Sequence, residues 1–252
     1  MQPIPAFNDN YIWMSATGGQ RLLVDPGDAA PVLDALNAAG AVPAAILLTH
    51  HHDDHIGGVP ELLRHWPQTP VFAPHDERIA VPARRVAGGD VVSVGRWTFT
   101  VIDVPGHTRS HIAFHGHGRL FCGDTLFSLG CGRMFEGSPE QFVASLDALA
   151  ALPDDTRVYC AHEYTLANAA FARAVEPGNV RLAERTREAQ AQRAAGQPTL
   201  PSTLESERAC NPFLRIDVPE VIQAVARHEG RPAADRVATF AALRRWKDGF
   251  RA

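Results

Sequence analysis

The stretch Leu47 to Gly58 reads LLTHHHDDHIGG and is dense in side chains that can bind a metal ion. Side chains alternate along an extended segment, so His50, His52 and Asp54 are expected on one side. His55 joins them only if the chain turns, and we expect the double glycine Gly57-Gly58 to permit this turn. Imidazole and carboxylate ligands suit Zn, Fe or Mn better than Ca or Mg. The pattern therefore predicts a transition-metal site, against the alternative of a solvated histidine run without function.

The number of candidate ligands in this run points to more than one ion. Four ligands exceed what one catalytic ion binds while keeping an open coordination position. Three further polar residues each follow a predicted strand, namely His107, Asp124 and His162. Strand ends on a rigid scaffold are a usual place for site residues. Each fits a capped turn or a core histidine equally well when taken singly, but together with the first run they favour a two-metal site.

Short apolar runs between turn residues predict the strands that would position these ligands. They are Tyr11 to Thr17, Arg21 to Asp25, Ala44 to Leu48, Pro70 to Ala73, Val91 to Val94, Trp97 to Val104, Ile112 to His115, Arg119 to Cys122 and Arg157 to Cys160. Helices are expected around Val32 to Ala39 and over Pro60 to Trp66. Another starts at Ser138, which is followed by Pro139 and Gln141 in a capping pattern, and runs to about Ala151.

The chain changes character after Glu163, where helical periodicity replaces strands. The helices expected there are Thr165 to Val175, Val180 to Ala195, Val218 to His228 and Ala233 to Lys247. The stretches 196–206 and 210–215 resemble loops. This order predicts an α/β (α+β) domain over residues 1–164 and a helical domain over residues 165–252.

Composition is that of an ordinary globular protein, with 252 residues, 45% hydrophobic and 21% charged, and a net charge of -4. The acidic balance argues against nucleic-acid binding. Neither a secretory leader nor a run as long as a membrane span, roughly 18 residues, is recognised. The cysteines Cys122, Cys131, Cys160 and Cys210 lie far apart, which favours reduced thiols and predicts a cytoplasmic protein.

THHHDDHIGG resembles the THxHxDHxGG signature of the metallo-β-lactamase superfamily. The resemblance implies an αββα sandwich with the site at one edge of two packed sheets. It further implies a ligand set of His50, His52 and His107 for a first ion, Asp54, His55 and His162 for a second, and Asp124 as the bridge. Two divalent ions, with zinc expected first and Fe or Mn also compatible, would hold a bridging hydroxide as the nucleophile. Asp54 is the candidate catalytic acceptor that orients its proton, and His111 is expected near the site.

Motifs along nearly the whole chain are similar to those of the glyoxalase II family, the hydroxyacylglutathione hydrolases. They are DNYIW, GDTLF, GCGRMFEG, HEYT, FARAVEPGN, PSTLESERACNPFLR and LRRWKDGF. The resemblance implies a thioester hydrolase that cleaves S-(2-hydroxyacyl)glutathione, chiefly S-D-lactoylglutathione, to D-lactate and glutathione, the second step of methylglyoxal detoxification. The substrate-binding positions it implies are Arg133, Tyr164, Arg244 and Lys247. Phe135 stands where some relatives have Tyr, and a solvated helix face is the alternative for Arg244 and Lys247.

Two other functions remain open at this point. One is a mononuclear-iron persulfide dioxygenase of the same superfamily, against which the complete second ligand set argues. The other is a non-catalytic metal-binding or nucleic-acid-binding module. The preferred interpretation is a monomer that acts on a small glutathione thioester and binds neither nucleic acid nor membranes.

Overall fold

The computed structural model describes residues 1–17 and 19–251, and its contacts separate into two compact units. The first unit contains residues 1–103 and 110–123, and the second contains residues 104–109 and the chain from residue 124 onward. The predicted division at residue 164 follows a different criterion, the change from strands to helices, and stays a prediction. Among the described residues no helix combines the length and apolar character needed to cross a bilayer.

The first unit begins with a sheet and the helices that cover it. Its strands are β1 (Gln2–Ala6), β2 (Asn10–Thr17), β3 (Gln20–Val24), β4 (Val42–Leu47), β5 (Val71–Ala73) and β6 (Arg84–Arg85), and its helices are α1 (Ala30–Ala38), α2 (Asp53–Ile56) and α3 (Val59–His65). β1, β2 and β3 pair antiparallel, whereas β3 to β6 pair parallel. Leu36 of α1 and Leu62 of α3 share a buried cluster with Ile12 and Ile46 of the sheet. Burial of these apolar side chains holds the helices on this face.

Four further strands of the first unit pair antiparallel in chain order. They are β7 (Val91–Val94), β8 (Trp97–Asp103), β9 (Ile112–Gly116) and β10 (Arg119–Gly123). β8 alternates buried and exposed residues, as expected for a strand with one face in the core. The indole nitrogen of Trp97 donates a hydrogen bond of 3.2 Å to the Ser15 hydroxyl of β2. The first unit therefore contains two sheets that contact each other.

The second unit holds the other short strands and the larger helices. Its elements are β11 (Leu126–Phe127), β12 (Gly130–Cys131), α4 (Pro139–Ala150), β13 (Arg157–Cys160), α5 (Thr165–Val175), α6 (Val180–Ala194), β14 (Ser202–Thr203), α7 (Leu204–Cys210), a 3-10 turn (Pro212–Leu214), α8 (Pro219–Glu229) and α9 (Arg236–Gly249). β11 pairs with β12, and β13 pairs with β14. The rings of Phe142, Phe240 and Phe213 form a chain of edge-to-face contacts in the core of this unit.

The predicted elements are recovered with small differences at their ends. The capping box at Ser138 and Gln141 is formed in both directions, and α5 has the predicted bounds. Several short elements were missed, namely β1, α2, β6, β11, β12, β14, α7 and the 3-10 turn. β1 contains Pro3 and Pro5, which suggest a loop but are tolerated in an edge strand. α7 overlaps the ends of both stretches that were expected to be loops, and Thr203 caps it by accepting a hydrogen bond of 3.2 Å from the Ser206 amide.

Candidate active site

The histidine-rich run leaves β4 in extended conformation and then turns into α2. The predicted alternation holds for His50 and His52 but not for Asp54, because the helix begins at Asp53. Asp53 and Asp54 occupy the first turn, where the helix dipole favours carboxylates. His55 is therefore brought round by the helical turn itself. The glycines were expected to cause this turn, but they lie after it.

Glycines permit this turn to lie close against the loop that follows β3. A Cβ atom at Gly27 would lie 1.9 Å from the carbonyl oxygen of Asp54. A Cβ atom at Gly58 would lie 2.6 Å from the carbonyl oxygen of Pro26. Both distances are far below van der Waals contact, so only glycine lets the ligand-bearing turn and the loop approach each other in this way.

Asp25, at the end of β3, anchors the histidine-rich run. Its buried carboxylate accepts hydrogen bonds of 2.8 Å from both the amide and the hydroxyl of Thr49, and it lies 3.1 Å from Nδ1 of His55. The Thr49 hydroxyl in turn lies 3.1 Å from Nδ1 of His50. Partners at Nδ1 fix the ring orientation and leave Nε2 of both rings to bind a metal. Asp25 carries the same signal as the predicted ligands, a polar residue at a strand end, but its role was missed in the sequence analysis.

Two other histidines of the first unit support this arrangement without being predicted ligands. The ring of His111 stacks on His50, with centroids 4.6 Å apart and an interplanar angle of 17°. The expectation that His111 lies near the site is therefore met on the His50 side. His51 points to a different neighbour, and its Nδ1 lies 3.5 Å from the Asp76 carboxylate. Ser110 and Arg78 donate hydrogen bonds to that carboxylate, and the Arg78 contacts hold the pKa of Asp76 well below its usual range.

In the second unit, Asp124 lies between two of the other predicted ligands. One of its carboxylate oxygens is 3.5 Å from Nε2 of His107 and 3.4 Å from Nε2 of His162. All three side chains are buried. Nδ1 of His107 lies 2.8 Å from the carbonyl oxygen of Arg133, which again directs Nε2 towards the carboxylate.

The donor atoms of the predicted ligands fit a divalent metal. Within the first unit, Nε2 of His50 lies 3.0 Å from Nδ1 of His52, and Nε2 of His55 lies 3.6 Å from a carboxylate oxygen of Asp54. Within the second unit, the Asp124 carboxylate lies beside both His107 and His162. Nitrogen and carboxylate donors with no cysteine are compatible with Zn, Fe and Mn. The partners at Nδ1 of His50, His55 and His107 are the kind of supporting contact that metal-binding histidines have. The residues present therefore fit a divalent metal.

A cavity of about 510 Å³ in the second unit brings predicted ligands and predicted substrate residues together. Its lining includes His107, Asp124, Arg133, Tyr164, Arg244 and Lys247. The hairpin β11–β12 lies in the segment that joins Asp124 to Arg133. Asn211 donates hydrogen bonds to the carbonyl oxygens of Phe127 and Gly130 on that hairpin, so its side chain stabilises the hairpin.

The cationic side chains that line this cavity differ in how accessible they are to a ligand. Arg133 has a side chain that is 66% exposed. Lys247 donates a hydrogen bond of 3.2 Å to the carbonyl oxygen of Ala167. Burial, followed by the nearby charge of Arg244, lowers the pKa of Lys247 to about 8. A lysine of this kind is still cationic at neutral pH but titrates within the physiological range.

Arg244 is buried and already engaged with the protein. Only 5% of the residue is exposed, and its guanidinium donates to the carbonyl oxygens of Cys131 and Gly132 at 2.9 and 3.3 Å. It also donates to Asp248, one helical turn away, at 3.0 Å. Arg244 is therefore not part of a solvated helix face. Asp248 was missed at the sequence level, although its i, i+4 spacing from Arg244 is a recognisable signal.

Aromatic rings form the apolar part of the cavity wall. Phe135 is 61% exposed, and its ring centroid lies 5.2 Å from that of His107. Phe127 contacts both His162 and Tyr164 edge to face. Phe135 has no hydroxyl group, so it offers a ligand contact area but no hydrogen bond.

Comparison with known families matches almost the whole chain. Residues 6–162 match the family model for the metallo-β-lactamase superfamily, and residues 163–250 match the model for the hydroxyacylglutathione hydrolase C-terminus. A hydroxyacylglutathione hydrolase from Xylella fastidiosa (strain M23) is 56% identical over 251 residues, covering 99% of this chain and 97% of the relative.

Solved structures show the same fold. The BLEG-1 B3 metallo-β-lactamase superposes with a TM-score of 0.65 at 24% identity, covering 84% of this chain and 98% of that one. TTHA1623, solved in a di-iron-bound form, superposes with a TM-score of 0.57 at 32% identity, covering 64% of this chain and 92% of that one. The predicted metallo-β-lactamase fold is confirmed.

Proposed function

Because this chain belongs to the hydroxyacylglutathione hydrolases of the metallo-β-lactamase superfamily, we propose that it hydrolyses S-(2-hydroxyacyl)glutathione thioesters. The preferred substrate is S-D-lactoylglutathione, and the products are D-lactate and glutathione. The observation that carries this proposal is the identity of 56% to a hydroxyacylglutathione hydrolase over 99% of the chain. The family relationship inferred from the sequence motifs is confirmed by the same comparison.

Two divalent ions, zinc in the first instance, form the proposed reaction centre. We assign His50, His52 and His107 to one ion, Asp54, His55 and His162 to the other, and Asp124 to both. Support comes from the donor types and from the partners that orient the rings. Such a metal pair supplies an activated water at neutral pH and polarises the substrate carbonyl.

The protein side chains then have a limited set of tasks. The carboxylate of Asp54 accepts the proton of the attacking water while that water adds to the acyl carbon. The carbon–sulfur bond breaks, and glutathione leaves as a thiolate. A thiol has a pKa of about 8.5, so this leaving group needs little proton donation and the reaction does not require a strong general acid.

Recognition of the glutathione part depends on charge. Glutathione carries two carboxylates, and the cavity offers the exposed guanidinium of Arg133 and the ammonium of Lys247. Arginine can bind a carboxylate with two parallel hydrogen bonds. We assign these two cations to the carboxylates and the Tyr164 hydroxyl to a polar contact. Arg244 acts mainly by holding the backbone at Cys131, which lines the cavity, and at the neighbouring Gly132.

A monomeric state and a cytoplasmic location complete the proposal. Support for the location is that Cys122, Cys131, Cys160 and Cys210 are all buried and that no disulfide bond joins any of them, as in proteins of a reducing compartment. Gel filtration at several concentrations tests the monomer, since an oligomer would elute at a multiple of 27.3 kDa.

A thioester assay on the metal-replete protein tests the activity. We expect purified protein loaded with zinc to remove the thioester absorbance of S-D-lactoylglutathione and to release one glutathione per D-lactate. The alternative iron-dependent dioxygenase would instead consume oxygen with glutathione persulfide and hold one iron per chain. Absence of thioester cleavage by protein that holds two ions per chain would contradict the proposed function.

A further inference from the structure

The tip of the β1–β2 hairpin places one amide side chain against a proposed ligand. Ala6 and Asn10 pair across the two strands, and residues 7–9 form the turn between them. Within this turn, Phe7 has a φ of 51°. Asn10 is only 7% exposed, and its Nδ2 atom donates a hydrogen bond of 3.0 Å to Oδ2 of Asp54. The sequence placed Asn10 in the DNYIW motif but gave it no role.

The chemistry of this contact defines its direction. A carboxylate oxygen only accepts hydrogen bonds, so the donor has to be the amide nitrogen of Asn10. The bond holds Oδ2 of Asp54 at a defined position. An aspartate of the same shape at position 10 could not donate and would repel Asp54.

The location of Asp54 explains why such a contact matters. Asp54 lies on a helix of four residues, and its side chain is 40% exposed. A half-exposed side chain on a single helical turn can adopt several rotamers. The rings of His50 and His55 are oriented by Thr49 and Asp25, and Asn10 provides the corresponding contact for the carboxylate.

We propose that Asn10 is a positioning residue that fixes the Asp54 carboxylate for metal binding and for proton acceptance. The inference rests on the proposed function for the role of Asp54, but the contact itself does not. Supporting contacts of this kind typically change metal affinity by about 10- to 100-fold when they are removed.

Variants at position 10, compared with a charge-matched control in the same turn, test the inference. Asn10→Asp replaces the donor by an acceptor of the same shape, and Asn10→Ser shortens the side chain. Asn8→Asp adds the same charge at an exposed turn residue. We expect both Asn10 variants to bind zinc about 10-fold more weakly or worse, with kcat lowered and KM within about twofold of wild type. Asn8→Asp should retain both properties.

Zinc titration of the metal-free protein requires no substrate, so it decides the role of Asn10 even if the wild type does not cleave thioesters. Wild-type zinc affinity and kcat in Asn10→Asp would overturn the proposal. A lower stability of the metal-free Asn10→Ser protein with unchanged zinc affinity would also overturn it, because the role would then be structural only. If Asn10→Asp does not fold, Asn10→Ser gives the same decision.

Discussion

The imidazole of His162 and the phenol ring of Tyr164 stack face to face, with centroids 4.7 Å apart and ring planes 4° apart. His162 is a proposed metal ligand, and Tyr164 lines the cavity proposed for glutathione. One aromatic pair therefore connects the metal ligands with the substrate-binding wall. The stacking area and the hydroxyl group of Tyr164 can be tested separately.

Replacing Tyr164 separates these two contributions. Tyr164→Phe keeps the ring on His162, so we expect wild-type zinc affinity and a KM raised about 3- to 10-fold by the loss of one hydrogen bond. Tyr164→Ala also removes the stacked ring and should weaken zinc binding as well. Steady-state kinetics and zinc titration measure both effects. Equal zinc affinities for the two variants would show that the stack does not support His162.

Removing the carboxylate of Asp25 should weaken both the fold and metal binding. Asp25→Ala leaves the buried amide and hydroxyl of Thr49 without their acceptor, at a cost of about 3 kcal/mol in the free energy of unfolding. Asp25 has a φ of 50°, a conformation that asparagine tolerates well. Asp25→Asn should therefore lose less stability than the alanine variant, although zinc affinity still falls. Urea unfolding of the metal-free protein, followed by zinc titration, checks this order.

Asp124→Ala should remove both ions, because its carboxylate is assigned to both. The variant leaves His107 and His162 without the oxygen that lies 3.5 and 3.4 Å from their Nε2 atoms. Elemental analysis after dialysis should find fewer than one ion per chain. His117→Ala, at an exposed turn, is the control and should retain both ions. Two tightly bound ions in Asp124→Ala would contradict the bridging assignment.

Alanine substitutions of Arg244 and Arg133 are expected to have different effects on stability. Arg244→Ala removes buried hydrogen bonds to the carbonyl oxygens of Cys131 and Gly132, so we expect about 2–3 kcal/mol lower stability together with a raised KM. Arg133→Ala changes an exposed side chain and should alter stability by less than about 0.5 kcal/mol. Its KM should rise about tenfold through the loss of one carboxylate contact. Thermal unfolding and KM, measured on both variants, distinguish the two roles.

The pH dependence of KM should report the deprotonation of the Lys247 ammonium group. Its pKa is lowered to about 8, so the ammonium that binds a carboxylate is present below that pH and is lost as the pH rises through it. We expect KM to increase between about pH 7 and 9, whereas an ordinary lysine would titrate near 10.4. Lys247→Arg keeps its charge over this range and should give a flatter KM profile. Parallel profiles for the wild type and the arginine variant would exclude Lys247 as the titrating group.

Local signals in the sequence were sufficient for most elements of the fold. The capping box at Ser138 and the periodicity of α5 act within a few residues, so they could be identified without a structure. The one-turn helix α2 could not, because four residues carry no helical period. Because α2 begins at Asp53, its helical turn, and not the double glycine that follows, brings His55 towards His50 and His52.

Contacts between distant segments account for what the sequence did not reveal at the site. Arg244 lies in LRRWKD, which has the composition of a solvated helix face, and its burial depends on a carbonyl group 113 residues away. The contact from Asn10 to Asp54 spans 44 residues. Ligand types could be predicted from strand ends, but the partners that orient them depend on such tertiary contacts.

The close approach of Gly27 to the Asp54 carbonyl limits how this sequence can vary. Even a methyl group at position 27 would overlap a backbone atom of the turn that carries Asp54 and His55. Replacing Gly27 with any other residue should therefore abolish activity, although glycine has no side chain that could bind a metal or a substrate. We therefore expect related sequences to differ more often at the exposed residues of α2 than in the loop that follows β3.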